Sequence, residues 1–239
     1  QHLVSISDAQ RRPALDAPWL RTIPHGIWLE DYEFHSEPGS YLAFLGRFSP
    51  EKRPDLAIEI AKRSGIPLKI AAKLEDGPMR SYFDSVIAPE IDGRFIEYIG
   101  EIAEHEKSDF LGNARALVFP IDWPEPFGLV MIEAMACGTP VLARPCGSVP
   151  EVIREGETGF IRPSVVDLAR LALDGVDALS RRACRQLMEE RHSAQRMTKE
   201  YLDVYRSLVA SARSEDHRRD FLHPVERTSP WNPQTRAQG

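Results

Sequence analysis

The sequence predicts an α/β fold with a mostly parallel sheet, and three observations predict it. Short apolar runs of strand length alternate with longer amphipathic patterns of helical period. Loops at Gly46, Gly100 and Pro120 each follow such a run, which sets them on one shared rim. With 239 residues, 42% hydrophobic and 28% charged, the chain can bury a sizeable core and has an ordinary globular composition.

Taken in order, residues 2–8 read as a strand and loop. Strands follow at 41–45 (Tyr-Leu-Ala-Phe-Leu), 68–72 (Leu-Lys-Ile-Ala-Ala), 95–99 (Phe-Ile-Glu-Tyr-Ile), 116–119 (Ala-Leu-Val-Phe) and 140–143 (Pro-Val-Leu-Ala), with a short one at 160–161. Helical patterns at 54–64, 79–88, 104–113, 127–137 and 149–155 lie between and after them, and later helices cover 165–174, 177–191 and 194–211. Strand alternating with helix is a Rossmann-like three-layer layout, in which ligands bind at the carboxyl ends of the strands. Beyond Ser214 the chain is rich in Arg, Asp, Pro, Ser and Gln, and residues 213–239 are expected to form a mobile tail.

Composition excludes several classes. A net charge of −6 argues against a broad nucleic-acid surface, which needs a basic stripe. Cys137, Cys146 and Cys184 are odd in number and lack CxxC spacing, so neither a disulfide framework nor a zinc site is expected, and Cys137 reads as a small core residue. No apolar run approaches a membrane span and the start has no signal-peptide pattern, so a cytoplasmic location is expected. There is no Asp-x-Asp pair, and His105 between Glu104 and Glu106 reads as a surface cluster at a helix start, so no metal is expected. The G-x-S-x-G, G-x-x-x-x-G-K-[ST] and G-x-G-x-x-G patterns are all missing, which weakens hydrolase, NTPase and nicotinamide readings.

Residues 124–140 carry the most chemistry. Pro126 suits a first helical position because its missing N–H is unpaired there anyway, and Gly138 and Pro140 end the helix. Free N–H groups near Phe127, Gly128 and Leu129 form a partly positive anion site, and Gly128 has no side chain to keep a phosphate or sugar away. Glu125 and Glu133 bracket it. The seven intervening residues rise roughly 10 Å along a helix, beyond the about 5–9.5 Å of an acid pair that hydrolyses one glycosidic bond. The two acids are better spaced to hold opposite ends of an elongated ligand. Alternatively, Glu125 is a helix-capping acid and Glu133 a core residue paired with an arginine.

This stretch resembles the E-x7-E signature of the family 4 retaining glycosyltransferases, also called glycosyl transferases group 1. In order along the chain, Gly46-Arg47 to Lys52 resembles the family's G-R-x-x-x-x-K diphosphate loop, and Phe95 to Ile102 its base-binding strand and loop. Gly147-Ser148-Val149-Pro150-Glu151 and Gly156-Glu157-Thr158-Gly159-Phe160 resemble its closing motifs. The likeness runs from about Ser5 to about Leu208. It implies a GT-B enzyme that transfers a sugar from a nucleoside-diphosphate-sugar substrate with retention and without a cofactor. It further implies that Arg47 and Lys52 neutralise the diphosphate, that Gly46 opens that loop and that Glu125 holds the donor sugar. Glu133 then holds the ribose, the Phe127, Gly128 and Leu129 amides meet sugar and phosphate, and Glu101 and Ile102 meet the base through backbone groups.

Bland readings stand beside these. Arg47 and Lys52 can be a solvated pair, Glu101 a solvated loop acid, and Trp123 either a stacking platform or a cover for the site's edge. Met131 and Met135 are packing. Two departures from the family pattern stand out: Arg53 replaces the Gly that follows Lys52, and His25 replaces the Asn of the interdomain linker at 22–27. In the family an acceptor-binding domain precedes that linker. Residues 1–24 are therefore expected to be its remnant plus linker, and residues 25–212 the nucleotide-sugar-binding domain. The expected partners are the donor and that missing domain, through which peripheral membrane contact is possible; nucleic acid is not expected. Rival readings are a nucleotide-sugar-binding module inactive without its acceptor half, and a GT-B nucleotide-sugar epimerase.

Overall fold

The computed structural model describes residues 2–222, with side chains described through residue 213. Leu3–Ser5 (β1) and Trp19–Thr22 (β2) pair in parallel as a small separate sheet. Six further parallel strands form the main sheet: Tyr41–Arg47 (β3), Leu68–Lys73 (β4), Ile96–Gly100 (β5), Ala114–Phe119 (β6), Val141–Ala143 (β7) and Gly159–Ile161 (β8). Their order is β5-β4-β3-β6-β7-β8. The order runs outward from β3 on both sides, so the chain reverses direction between β3 and β6, where an open α/β sheet leaves a crevice for ligand.

The helices are Pro54–Ser64 (α1), Pro78–Tyr82 (α2), Lys107–Gly112 (α3), Leu129–Ala136 (α4), Val149–Val152 (α5), Val165–Asp174 (α6), Arg181–Arg191 (α7) and Ala194–Leu222 (α8). Alternate strand residues feed two cores, one on each face. Leu42, Phe44, Ile70 and Val118 pack with Ile58 and Ile60 of α1 and Leu168 of α6. Tyr41, Ala43, Leu117 and Phe119 pack with Phe110 of α3, Met131 and Met135 of α4 and Leu187 of α7. Burial on both faces explains why the strands read as continuous apolar runs. Met131 and Met135 are fully buried packing residues, each contributing about 1.5–3 kcal/mol by leaving water. Cys137 is equally buried, and its thiol is pushed up to about 12, first by that burial.

The described residues divide into two compact units, the first ending at Glu200 and the second beginning at Tyr201. The expected boundary at residue 24 is not a break between units. Ser7 Oγ donates to Pro126 O at 2.5 Å, and the Asp8 and Ala9 amides donate to the Glu151 carboxylate at 2.8 Å, tying the first residues to the main unit. In the second unit Leu202, Tyr205 and Val209 are exposed along the helix.

Most elements match expectation, with instructive shifts. The helix expected at 127–137 begins at Leu129, with Gly128 at φ 81° as its N-cap. Ser148 Oγ takes the Phe127 carbonyl at 2.8 Å, Ser148 N takes that of Glu125 at 2.9 Å, and Ser7 takes that of Pro126. Those carbonyls are thus withdrawn from a helical ladder, and Pro126 lies in the preceding loop rather than at the first helical position. The expected 79–88 helix is α2 followed by a π turn at Phe83–Ile87, and the expected 104–113 helix is a 3-10 turn at Glu104–Glu106 followed by α3. The helix expected at 149–155 stops at Val152, where Arg154 N turns to Thr158 Oγ1 at 3.0 Å. Ser180 caps α7 through Ala183 N and so delays it to Arg181. The last helix, expected to end at residue 211, runs to Leu222; the rest of the expected tail, 223–239, lies outside the described residues.

Candidate active site

A cavity of about 410 Å³ opens at the carboxyl ends of β3, β4 and β6, beside the first turns of α4. It lies at the reversal of strand order. Of the residues expected at a site, Gly46, Arg47, Lys52, Glu101, Ile102, Glu125, Gly128, Leu129 and Glu133 all line it. Phe127 does not. Its ring is buried and packs edge-on to His25 at 4.9 Å and His192 at 5.8 Å, away from this cavity.

One wall is cationic. Arg47 ends β3, and its β4 neighbour in register is Lys73. Arg47 makes no hydrogen bond or ion pair with any described residue, so its planar fork of donors is free for an anion. Across from it α4 begins. The first amides of a helix have no acceptor inside it, and Gly128 lines the cavity at a turn packed so tightly that a Cβ there would lie 2.7 Å from Met131 Cε and 3.2 Å from the Phe119 ring.

Glu125 lies on a braced loop. Glu125 is buried, and its Oε2 accepts from Lys52 Nζ and, at 2.9 Å, from Trp123 Nε1. Lys52 Nζ also stands 5.3 Å from the Trp123 ring centre and 5.9 Å from that of Phe119. Trp123 thus helps to fix the acid and its lysine. Glu125 is no helix cap. Behind the loop, Gly147 passes so close that a Cβ there would sit 2.2 Å from the Glu125 carbonyl oxygen.

Arg53 is the one non-glycine residue with positive φ among those described (φ 54°, ψ 49°), so the substitution keeps the backbone shape that glycine favours. Its guanidinium grips Asp55 at 2.8 Å and Asp122 at 3.0 Å, and Asp122 also pairs with Arg144 at 2.9 Å. The Arg144 hydrogen bond and charge, then those of Arg53, hold the Asp122 carboxyl below its ordinary range. Asp122 N donates to Glu51 O at 2.9 Å, joining the Lys52 and Glu125 loops.

Glu133 lies on a helix. Glu133 is buried on α4, and its Oε1 accepts from Lys107 Nζ at 3.0 Å. The expected arginine partner is therefore a lysine. Lys107 also pairs with Glu104 at 2.7 Å, and Glu104 accepts from the Tyr32 hydroxyl at 3.0 Å. Burial pulls the Lys107 ammonium down, but the Glu104 hydrogen bond and the Glu133 charge outweigh it and raise its pKa above normal.

Lys107 and Lys73 line the cavity and were not identified from the sequence. The signal for Lys73 was its place one residue past an expected strand end on the shared rim. Lys107 had a weaker one, a lysine in the helix after the base-binding loop. Glu104 belongs to the Lys107 network, while Glu106 caps its own turn through Ala103 N at 2.7 Å. Among the described residues no group of three or more His, Cys, Asp or Glu is arranged around a metal position, and no helix is long and apolar enough to cross a membrane.

The profile of glycosyl transferases group 1 matches residues 31–199. A D-inositol 3-phosphate glycosyltransferase from Saccharomonospora viridis is 30% identical over 245 aligned positions, covering 88% of this chain and 54% of that protein. Among solved structures, sucrose-phosphate synthase from Thermosynechococcus elongatus superposes with a TM-score of 0.76 at 23% identity, over 88% of this chain and 59% of that one. Anabaena HepE in complex with UDP-glucose superposes with a TM-score of 0.73 at 16% identity, over 85% and 63%. The chain thus spans about half the length of that curated relative. With the motifs in order on this sheet and the profile covering its core, the chain belongs to the glycosyl transferases group 1 family.

Proposed function

We propose that this chain supplies the donor-binding half of a GT-B glycosyltransferase that moves a sugar from a nucleoside-diphosphate donor to an acceptor hydroxyl with retention at the anomeric carbon. One observation carries the reading: a single cavity is lined by Arg47, by the residues that open α4, and by two buried carboxylates, Glu125 and Glu133, each held by its own lysine. Those groups suit the sugar hydroxyls, diphosphate and ribose hydroxyls of one donor. The UDP-glucose complex of HepE, a neighbour in fold, supports the donor class.

In this reading Glu125 accepts hydroxyls of the donor sugar and Glu133 those of the ribose. Glu101 and Ile102 meet the base, and the Gly128 and Leu129 amides meet phosphate. The anomeric carbon–oxygen bond to the diphosphate breaks, and the acceptor oxygen bonds to that carbon on the same face. The acceptor's proton passes to the departing phosphate oxygen. Arg47 and Lys52 stabilise the charge that builds there, a task for preorganised donors in a partly enclosed site. These side chains and the α4 amides supply the positive charge, without a metal.

Calorimetric titration of UDP, GDP, ADP and their glucose conjugates, run beside a transfer assay, tests this. Binding of one nucleoside diphosphate, tighter with its sugar attached, is expected; binding of none removes the reading. The chain's span of about half its relative favours a second outcome for this chain alone, binding without transfer. Transfer restored by adding an acceptor-binding domain then separates a half-enzyme from a binding module.

A further inference from the structure

Glu133 sits in the second turn of an otherwise apolar helix. A buried carboxylate needs a partner of fixed geometry to stay charged. That partner comes from a different layer of the fold: Lys107, at the start of α3, reaches Glu133 Oε1 at 3.0 Å. The lysine is itself held from outside. Glu104 takes a second Nζ proton at 2.7 Å, and the Tyr32 hydroxyl fixes Glu104 at 3.0 Å. Ser108, the next residue, accepts from the Glu33 amide at 2.8 Å, so α3 is pinned to the segment that carries Tyr32.

Two consequences follow for a ligand in the cavity. A carboxylate has about four acceptor sites. Lys107 occupies one of them and the Tyr32 hydroxyl also interacts with the carboxylate, so the plane of Glu133 is set and its remaining acceptor sites are left for two hydroxyl donors. Lys107 also offsets the negative charge of Glu133 beside a ligand that carries a diphosphate, where an unpaired acid would repel it.

We propose that Lys107 is a positioning residue that orients Glu133, so that the cleft selects a ribose bearing both hydroxyls over a 2′-deoxyribose; this rests on the reading of Glu133 as the ribose-binding acid. Lys107 acts through Glu133 and not on the reacting bond.

The test is calorimetric titration of the whole chain with UDP and 2′-deoxy-UDP, and with the guanosine and adenosine pairs, in wild type, Lys107→Met and Glu104→Gln. Wild type should prefer the ribonucleotide by about tenfold, the worth of one charge-assisted hydrogen bond. In Lys107→Met the preference should shrink to about twofold or less. A merely structural loss lowers both affinities together and leaves their ratio alone. Glu104→Gln keeps the lysine in place and loosens only its outer tether, at a position that is mostly exposed. Its ratio should fall to about threefold, which keeps the inference testable should Lys107→Met fail to fold. An unchanged ratio in a folded Lys107→Met or in Glu104→Gln overturns the assignment, as does a wild type with no ribose preference. A wild type that binds no nucleoside diphosphate overturns the donor-site reading itself, and this inference with it.

Discussion

Glu125 and Glu133 line one cavity but are held by different kinds of structure. Glu125 belongs to a loop whose shape depends on contacts distant in sequence: Lys52, Trp123, Ser148 and the Arg53–Asp122–Arg144 chain. Glu133 belongs to a regular helix packed on the central sheet, and what holds its carboxylate is a lysine brought from α3. A loop acid can shift when its braces are released. A helix acid keeps its place and loses only its orientation. The contrast fits the two tasks proposed: a sugar end where bonds change, and a ribose end that anchors.

Acid should break the comparison at the loop end first. Phe127, two residues past Glu125, packs on His192, whose pKa is pushed down to about 4, first by burial and then by the charges of Arg196 and Arg191. Nδ1 of His192 donates to the His25 carbonyl at 3.0 Å, which only partly offsets that fall. The unfolded chain takes up this proton near its ordinary value of 6.5, whereas the folded chain resists until about 4. Stability is therefore full above the unfolded value and is lost progressively as pH falls from 6.5 to about 4, by about 3 kcal/mol in total. Burial lowers the pKa of His25 as well and adds in the same direction. Urea melts at pH 7.5 and 4.5 check this, with His192→Gln expected to flatten the difference. Amide exchange in residues 125–128 should rise before that in 131–135.

Lys52→Ala should be the next largest effect. It removes the proposed diphosphate contact and leaves Glu125 without its ion-pair partner. UDP affinity should weaken about thirtyfold, roughly 2 kcal/mol, and UDP-glucose affinity by more. A change in UDP affinity below about threefold would remove Lys52 from the phosphate site.

The smallest effect isolates the strain at the loop end. Arg53→Ala keeps a side chain in the left-handed region and loses both ion pairs, while Arg53→Gly loses the same pairs but relaxes the backbone. Glycine should exceed alanine in folding free energy by about 1 kcal/mol. Equal stabilities in chemical denaturation would show that the left-handed turn carries no cost.

The two ends also differ in how legible they were. The sheet, its parallel sense and the shared rim followed from apolar runs and the loops after them, because strands buried on both faces announce themselves by composition. That Lys52 and Glu125 line one cavity followed from motifs that resemble a family pattern, but their pairing with each other did not. The start of α4 did not, because the deciding hydrogen bonds come from Ser148 and Ser7, far away in sequence. The buried place of the Phe127 ring against His25 and His192 was not legible either, since those histidines lie far away in sequence. Lys107 was invisible since nothing local to Glu133 predicts a partner 26 residues upstream. Arg53 was visible as a departure, but its left-handed conformation became evident only in the folded turn.

The central claim is the division of labour between the two acids, and one paired titration tests it most directly. Wild type, Glu125→Ala and Glu133→Ala are each titrated with a nucleoside diphosphate that binds and with its glucose conjugate. Glu125→Ala should leave the nucleotide's affinity within about twofold and abolish the gain, about tenfold, that the sugar confers. Glu133→Ala should weaken both ligands by about the same factor, near tenfold. Equal losses for the bare nucleotide in the two variants, or a sugar gain that survives Glu125→Ala, would contradict the account.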